Sequence, residues 1–195
     1  TFIAVDCADV ARMGAFGNVF ARFRGDTVNI DHHISNTEYA KTNCVSVCSA
    51  TCEIMPRVLD AAGLKISPAV ANLLMLGLIT DSGSFAHSDV TGHTFSVAAR
   101  LREAGADVTK INYEMFSRQK KARALLFTRA LNNLRFALED KLAFILVTDA
   151  ALKETGAERS LTEGFVDYPL SIDGVEVAIA LLEMKKGQYK ASLRS

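Results

Sequence analysis

The chain has 195 residues, of which 49% are hydrophobic and 23% are charged. This composition is typical of one folded domain with part of a second, and it excludes an intrinsically disordered protein. Lysine plus arginine and aspartate plus glutamate each number 22, so the formal net charge is zero. A chain-wide basic surface for long nucleic acids is therefore excluded, although a local basic patch is not.

The sequence shows neither a membrane span nor a secretory leader. No apolar run approaches the ~20 residues that a membrane helix needs, and no basic leader precedes an apolar segment at the N-terminus. We therefore expect a cytoplasmic protein with reduced cysteines and no membrane partner. The chain begins without methionine and stops within a predicted strand, which indicates a piece of a longer protein.

The first 117 residues alternate short apolar runs with helical patterns. Residues 2–5 and 27–30 are predicted strands, and an aspartate follows each of them, Asp6 and Asp31 respectively. Residues 9–16 between them are predicted to form a short helix. Strands that alternate with helices predict a parallel α/β sheet, which is the fold class we assign.

Three longer helices follow in this part, and each begins at a residue whose side chain can accept a hydrogen bond from the first helical turn. These predicted N-caps are Ser67, Thr91 and Asp107. The first helix has proline at its first position and continues at helical spacing to Asp81. In the third, Ile111, Met115 and Phe116 are expected to face the core.

An amphipathic helix is predicted over residues 118–135, with basic side chains on its polar side. Its predicted inward side chains are Leu125, Leu126, Ala130, Leu131 and Leu134. We interpret residues 118–136 as a connector between two domains, with a solvated basic side rather than an RNA-binding one.

The pattern changes after this helix. Residues 142–147 are a predicted strand, and residues 175–182 and 188–193 are a predicted hairpin. We therefore place a first domain over 1–117 and the start of a smaller α/β domain over 137–195.

Carboxylates and histidines gather at the ends of the predicted elements. Asp6 and Asp31 follow strands, where ligands of open α/β sheets bind. His32 and His33 come directly after Asp31, and Asp81 ends an apolar helix. Carboxylates with neutral histidines suit a borderline divalent ion such as Mn²⁺. Two such ions can activate water and stabilise an in-line phosphoryl displacement.

These residues also have structural interpretations. A strand-end aspartate is commonly a turn or capping residue. Adjacent histidines in extended chain point to opposite faces, so they need not reach the same ion, and one of them can be a packing residue. Cysteines at positions 44, 48 and 52 would share one face of a helix, and we interpret them as small buried residues rather than zinc ligands. Phe85 has two open interpretations, a stacking surface for a base or a core residue.

Three spaced motifs resemble those of the DHH phosphoesterase superfamily. They are residues 5–9 and 12–14 (VDCAD and RMG), residues 29–36 (NIDHHISN) and residues 77–85 (GLITDSGSF). Residues 165–195 resemble the first half of the DHH-associated C-terminal domain. Within the superfamily the chain is most similar to the group of bifunctional oligoribonucleases (nano-RNases) and 3′-phosphoadenosine 5′-phosphate (PAP) phosphatases.

The resemblance implies roles for the clustered residues. Asp6 would bridge two Mn²⁺ ions, and His32 and Asp81 would complete the shell of the second ion. His33 would contact the scissile phosphate or assist the leaving group. Asp31 would orient the histidines without ligating metal, as ligating histidines generally require.

The resemblance also implies a substrate and further contacts to it. The expected partner is a short oligoribonucleotide or a phosphorylated nucleotide, and the expected assembly is a homodimer. Arg194 and Ser195 would hold substrate phosphate, for which the arginine fork is suited. His87, beside the turn after Asp81, is a further candidate for substrate contact.

Two family motifs have no counterpart in this chain. The family's upstream motif, His-x-x-Pro-Asp-x-Asp, supplies further metal ligands, and its downstream Gly-Gly-Gly-His segment reads the substrate. The chain as given is therefore expected to hold at most one ion well and not to catalyse by itself. The alternatives are a cyclic-dinucleotide phosphodiesterase domain and a non-catalytic regulatory or oligomerisation module.

Overall fold

The computed structural model describes residues 1–195, which form two compact units, Thr1–Met115 and Phe116–Ser195. The first unit holds a three-stranded sheet and five α-helices, and the second holds a four-stranded sheet and three α-helices. The α/β class predicted from the sequence is thus confirmed. None of the helices combines the length and the apolar character that a membrane crossing requires.

The sheet of the first unit is parallel, with strand order β1-β2-β3. Its strands are β1 (Phe2–Val5), β2 (Thr27–Asp31) and β3 (Thr42–Val45). Val5 pairs with Ile30, and Asp31 pairs with Val45, so all three strands end at one edge. The sequence did not predict β3, because its four half-exposed residues show no apolar alternation.

Five α-helices complete the first unit. They are α1 (Phe16–Arg22), α2 (Thr51–Ala61), α3 (Pro68–Asp81), α4 (Gly92–Glu103) and α5 (Val108–Asn112). The three predicted N-caps are confirmed. Ser67 accepts a hydrogen bond from the Val70 N–H, Thr91 forms a reciprocal capping box with Thr94, and Asp107 accepts from the Lys110 N–H.

Two local predictions over residues 1–117 were wrong. The helix expected over residues 9–16 is a 3₁₀ turn, Val10–Met13, followed by α1, because Gly14 adopts a φ of 56° and interrupts the helical path. Met115 and Phe116 are about half exposed rather than buried. The helix α5 ends at Asn112. In the π-helical turn Tyr113–Ser117 the spacing of side chains differs from that of an α-helix, so Met115 and Phe116 do not face the core.

A close contact between α2 and α3 fixes the helix that ends at Asp81. A Cβ atom on Gly77 of α3 would clash with the Cys52 Sγ of α2, so a larger residue there requires the Cys52 side chain or the helices to move. Residues Leu74, Met75 and Leu78 of the same helix are buried in the core of the unit. The position of the α3 C-terminus therefore depends on a glycine in its interior, where glycine is otherwise unfavourable.

We predict that Gly77→Ala lowers the free energy of unfolding by about 1–3 kcal/mol, the usual cost of overpacking. Urea denaturation measures the change. Cys52→Ala in the same chain should restore part of the loss, because it removes the clashing sulfur. Gly92→Ala is the matched control, since an added Cβ there meets no atom within 4 Å. Equal stability of the two alanine variants would contradict the prediction.

The second unit is a mixed sheet with strand order β4-β5-β6-β7. Its strands are β4 (Arg135–Ala137), β5 (Leu142–Val147), β6 (Val177–Lys185) and β7 (Gln188–Arg194). Its helices are α6 (Lys121–Asn132), α7 (Asp149–Thr155) and α8 (Asp167–Leu170). Strands β6 and β7 form the predicted hairpin, and β5 runs parallel to β6.

The structure corrects the interpretation of residues 118–136 as a separate connector. Leu126 and Ala130 of α6 are fully buried in one cluster with Ile145 of β5 and Phe165, so this helix is a core element of the second unit. Leu125, predicted to face inward, is 46% exposed. The buried stripe of α6 is narrower than the apolar sequence pattern indicated.

We predict that Leu126→Ala lowers the free energy of unfolding of the second unit by about 2–5 kcal/mol, because it leaves a cavity in the core. Leu125→Ala, the adjacent exposed position, should change it by less than about 0.5 kcal/mol. Denaturation followed by circular dichroism compares the two variants. A loss of similar size in both would show that α6 is a loosely attached connector.

Candidate metal centre

The side chains of Asp6, His32 and Asp81 meet at one point of the first unit. The Nε2 atom of His32 lies 3.5 Å from Asp6 Oδ1 and 3.3 Å from Asp81 Oδ2. The three residues follow β1, follow β2 and end α3, respectively. Parallel strands bring their carboxyl ends to the same edge of a sheet, which is why the first two converge.

The backbone at Asp6 turns sharply as it leaves the sheet. Its φ is 57°, in the left-handed region that aspartate tolerates better than most residues. Its N–H still donates to the Ile30 carbonyl at 3.0 Å, so the sheet ladder continues up to this residue. Strained backbone of this kind is concentrated at functional sites, where surrounding contacts hold it.

The orientation of His32 determines what the centre can bind. Its Nδ1 lies 2.8 Å from the Cys48 carbonyl oxygen, which can only accept a hydrogen bond. The Nδ1 atom therefore carries the proton, and in the neutral imidazole Nε2 presents a lone pair to two carboxylate oxygens. Two carboxylates that face this lone pair require a cation among the three groups, either a proton on Nε2 or a metal ion. The donor set thus fits a divalent metal ion that accepts oxygen and imidazole ligands.

His33 lies beside His32 and is held by a different partner. Its Nδ1 is 2.8 Å from Asp31 Oδ1, which leaves its Nε2 free. A carboxylate oxygen of Asp6, a ring nitrogen of His32 and a ring nitrogen of His33 all lie within 4.8 Å of one another. His33 is therefore close enough to the centre to ligate or to act beside it.

Two expectations about the histidine pair need correction. The rings do not point to opposite faces, because their centroids are only 4.4 Å apart. Strand β2 ends at Asp31, so the alternation of extended chain does not apply to the two residues beyond it. Of the two imidazole rings, Asp31 contacts only that of His33. The Cys48 carbonyl, and not Asp31, orients the His32 ring.

Asp31 is fully buried and closes a polar network behind the centre. Besides its bond with His33, it accepts from Asn36 Nδ2 at 2.5 Å, and Asn36 also donates to Asn29 Oδ1 at 2.8 Å. Burial by itself raises the pKa of this carboxyl group. The hydrogen bonds from the His33 ring, Asn36 and the His32 backbone outweigh burial, so the pKa lies below its ordinary value of 3.8.

Sequence reasoning missed two contacts that support the centre. Thr51, the first residue of α2, donates its hydroxyl proton to Asp6 Oδ1 at 2.9 Å. The Cys48 carbonyl is the second. Neither has a sequence signal, because a backbone carbonyl is present at every residue and the Thr51–Asp6 contact joins distant segments. The predicted shared helical face of cysteines 44, 48 and 52 is also absent, because they lie in β3, in a loop and in α2.

The predicted substrate-contacting residues are exposed, one in the first unit and two in the second. His87 of the first unit is exposed, and its ring packs against Gly83 in the left-handed turn after Asp81. Arg194 ends β7 of the second unit, with its Nε 3.9 Å from Asp167 Oδ1, and Ser195 follows it. Phe85 packs against the core of the first unit and stacks on Phe95 at 5.3 Å.

Comparison with known proteins gives relatives over most of the chain. A bifunctional oligoribonuclease and PAP phosphatase NrnA from Thermus thermophilus is 24% identical over 196 residues, which cover 100% of this chain and 57% of the relative. A probable bifunctional oligoribonuclease and PAP phosphatase NrnA from Streptococcus mutans is 29% identical over 169 residues, which cover 86% and 54%, respectively. No protein-family model matches the chain.

The fold also has a close counterpart among solved structures. The crystal structure of an exopolyphosphatase-related protein from Bacteroides fragilis matches 99% of this chain and 58% of its own, with a TM-score of 0.86 and 24% identity. These relatives support the resemblance to DHH phosphoesterases that the three motifs carry, and the solved structure supports the fold. The chain spans 57% and 54% of the length of the two curated relatives.

We predict that Asp31→Asn lowers the free energy of unfolding at neutral pH by about 1–3 kcal/mol, because an amide group would face hydrogen-bond donors in a buried site. The folded-state pKa of Asp31 is below 3.8, so its carboxylate adds stability above that value. This contribution is lost as the pH falls through the lower, folded-state pKa. The difference in the free energy of unfolding between wild type and variant should therefore become smaller below pH 3.8.

Urea denaturation with EDTA at several pH values measures this difference. Asp26→Asn is the control, because Asp26 is exposed and should show a small difference at every pH. If the difference in the free energy of unfolding between wild type and Asp31→Asn stayed constant from neutral to acidic pH, the assignment of a buried carboxylate would be contradicted.

Proposed function

We propose that this protein is a manganese-dependent phosphoesterase that uses two metal ions and hydrolyses short oligoribonucleotides and PAP. The observation that carries the proposal is the convergence of His32 Nε2 with the carboxylates of Asp6 and Asp81, 3.5 Å and 3.3 Å away. The name of the Thermus thermophilus relative supports the substrate class.

Asp6, His32 and Asp81 are the residues that would hold metal, with Asp6 shared between two ions. Divalent ions, when bound, stabilise negative charge that develops on a phosphoryl group. His33 Nε2 is free, because the hydrogen bond to Asp31 Oδ1 is made by Nδ1. We assign His33 to the substrate phosphate or its leaving group, and Asp31 to the orientation of the His33 ring.

Contacts to the rest of the substrate remain predictions. Arg194 and Ser195 are proposed to hold a substrate phosphate, and Arg194 is exposed and so available for this. His87 is proposed as a further contact, because it is exposed in the turn after Asp81. The homodimer and the cytoplasmic location also remain predictions.

The test uses the product of the complete reading frame that contains this chain. We expect it to release phosphate from PAP and mononucleotides from short oligoribonucleotides in the presence of Mn²⁺. His32→Ala should weaken Mn²⁺ binding, and added metal should restore part of the activity. His33→Ala should lower kcat with little change in metal affinity, because it removes a contact made in the transition state.

Calorimetry with Mn²⁺ and steady-state kinetics separate the two effects. Thr128→Val is the control, because its hydroxyl bonds only a carbonyl of its own helix in the second unit. The same metal-rescuable defect in both histidine variants would contradict the division of roles. Hydrolysis of a cyclic dinucleotide, with neither PAP nor linear oligoribonucleotides cleaved, would contradict the substrate assignment.

A further inference from the structure

A buried carboxyl group lies behind the metal centre and makes no contact with it. Glu53 of α2 is only 3% exposed, and its partners are hydroxyl groups rather than a cation. Its Oε2 accepts from Ser49 Oγ at 2.8 Å and from Thr94 Oγ1 at 3.1 Å. A buried carboxyl group is costly unless its hydrogen bonds are satisfied, so these two bonds are needed to keep Glu53 in place.

One end of this network leads to the metal centre. Ser49 belongs to a turn, defined here as residues 48–51, that runs into the first residue of α2. This turn contacts the centre at two points. The Cys48 carbonyl orients His32 through Nδ1, and the Thr51 hydroxyl donates to Asp6. The position of this turn therefore sets both the tautomer of His32 and the direction of the Asp6 carboxylate.

The other end of the network lies in the helical core. Thr94 is fully buried in α4, and its Oγ1 also accepts from the Thr91 N–H at 3.0 Å in the capping box of that helix. The helix α4 packs against the core through Val97 and Leu101. Glu53 thus joins the segment that enters α2 to the capped core helix α4.

We propose that Glu53 is a positioning residue for the metal centre, because its bonds to Ser49 and Thr94 fix the turn whose Cys48 carbonyl and Thr51 hydroxyl hold His32 and Asp6. The inference deepens the proposed function and rests on it for the identity of the centre. Without the Glu53 acceptor, Ser49 keeps only its longer contact with Thr94 Oγ1 at 3.4 Å. The Cys48 carbonyl is then held less firmly, and His32 is free to place its proton on Nε2. That proton would occupy the atom that must ligate metal.

The first test needs no metal. Long-range ¹H–¹⁵N spectra of the imidazole nitrogens report the tautomer of His32 in the full chain, with His32→Gln used to assign its signals. We expect the wild type to show the Nδ1–H tautomer at a pH where the ring is neutral. Glu53→Met and Ser49→Ala should shift His32 toward Nε2–H. Glu53→Gln keeps an acceptor oxygen and should preserve the wild-type spectrum.

The second test measures Mn²⁺ binding by calorimetry. Residues that orient a metal ligand typically alter affinity by about 10- to 100-fold, and we expect that loss for Glu53→Met and Ser49→Ala. The Glu53→Gln variant should bind as the wild type does. Glu103→Met is the matched control, because it makes the same substitution at an exposed position of α4.

The outcomes separate this inference from the proposed function. A wild-type chain that takes up no Mn²⁺ but shows the expected tautomer changes would overturn the metal function and leave the positioning role supported. An unchanged His32 tautomer in a folded Glu53→Met chain would overturn the positioning role. If Glu53→Met fails to fold, Ser49→Ala decides, because it leaves the Glu53–Thr94 bond in place, and a wild-type spectrum in that variant would equally overturn the proposal.

Discussion

The hydrogen bond between His32 Nδ1 and the Cys48 carbonyl oxygen is the contact on which the rest of the site depends. It places the imidazole proton on the side away from the two carboxylates, and so leaves a lone pair toward Asp6 and Asp81. Three electron-rich groups at 3.3–3.5 Å are stable together only with a cation among them, either a proton on Nε2 or a bound metal ion. The availability of His32 Nε2 as a metal ligand therefore depends on the proton that Nδ1 donates to the Cys48 carbonyl.

The fold brings these groups together through its topology. Parallel pairing of β1 with β2 places Asp6 and the residues after Asp31 at the same edge of the sheet. The close approach at Gly77 supports the position of the helix that ends at Asp81, because a larger residue would meet the Cys52 side chain of α2. The turn before α2 then supplies the contacts that hold His32 and Asp6 in place. Each element contributes its end to the centre and its middle to the core.

Much of this arrangement could be predicted from the sequence. Aspartates directly after short apolar runs indicated strand ends, and Ser67, Thr91 and Asp107 indicated helix starts. These signals are local, since they depend on neighbouring residues and on helical or strand periodicity. The sequence also predicted which residues gather at the edge, because parallel strands end there in common.

Other features could not be predicted, because they depend on contacts between distant segments. Strand β3 has no apolar alternation and is recognisable only by its pairing with β2. The rings of His32 and His33 lie side by side because β2 already ends at Asp31. The prediction of opposite faces assumed that the extended strand continued through both histidines. The roles of the Cys48 carbonyl, Thr51 and Glu53 arise from long-range hydrogen bonds, and Leu125 is exposed although its spacing fits the apolar face of α6.

Anomalous diffraction at the manganese absorption edge, from crystals of this chain grown with Mn²⁺, tests the central claim most directly. The account predicts an anomalous peak bonded to His32 Nε2 and to oxygens of Asp6 and Asp81, with His32 Nδ1 still donating to the Cys48 carbonyl. A map without a peak at this position at saturating Mn²⁺, or a peak ligated by other residues, would contradict it.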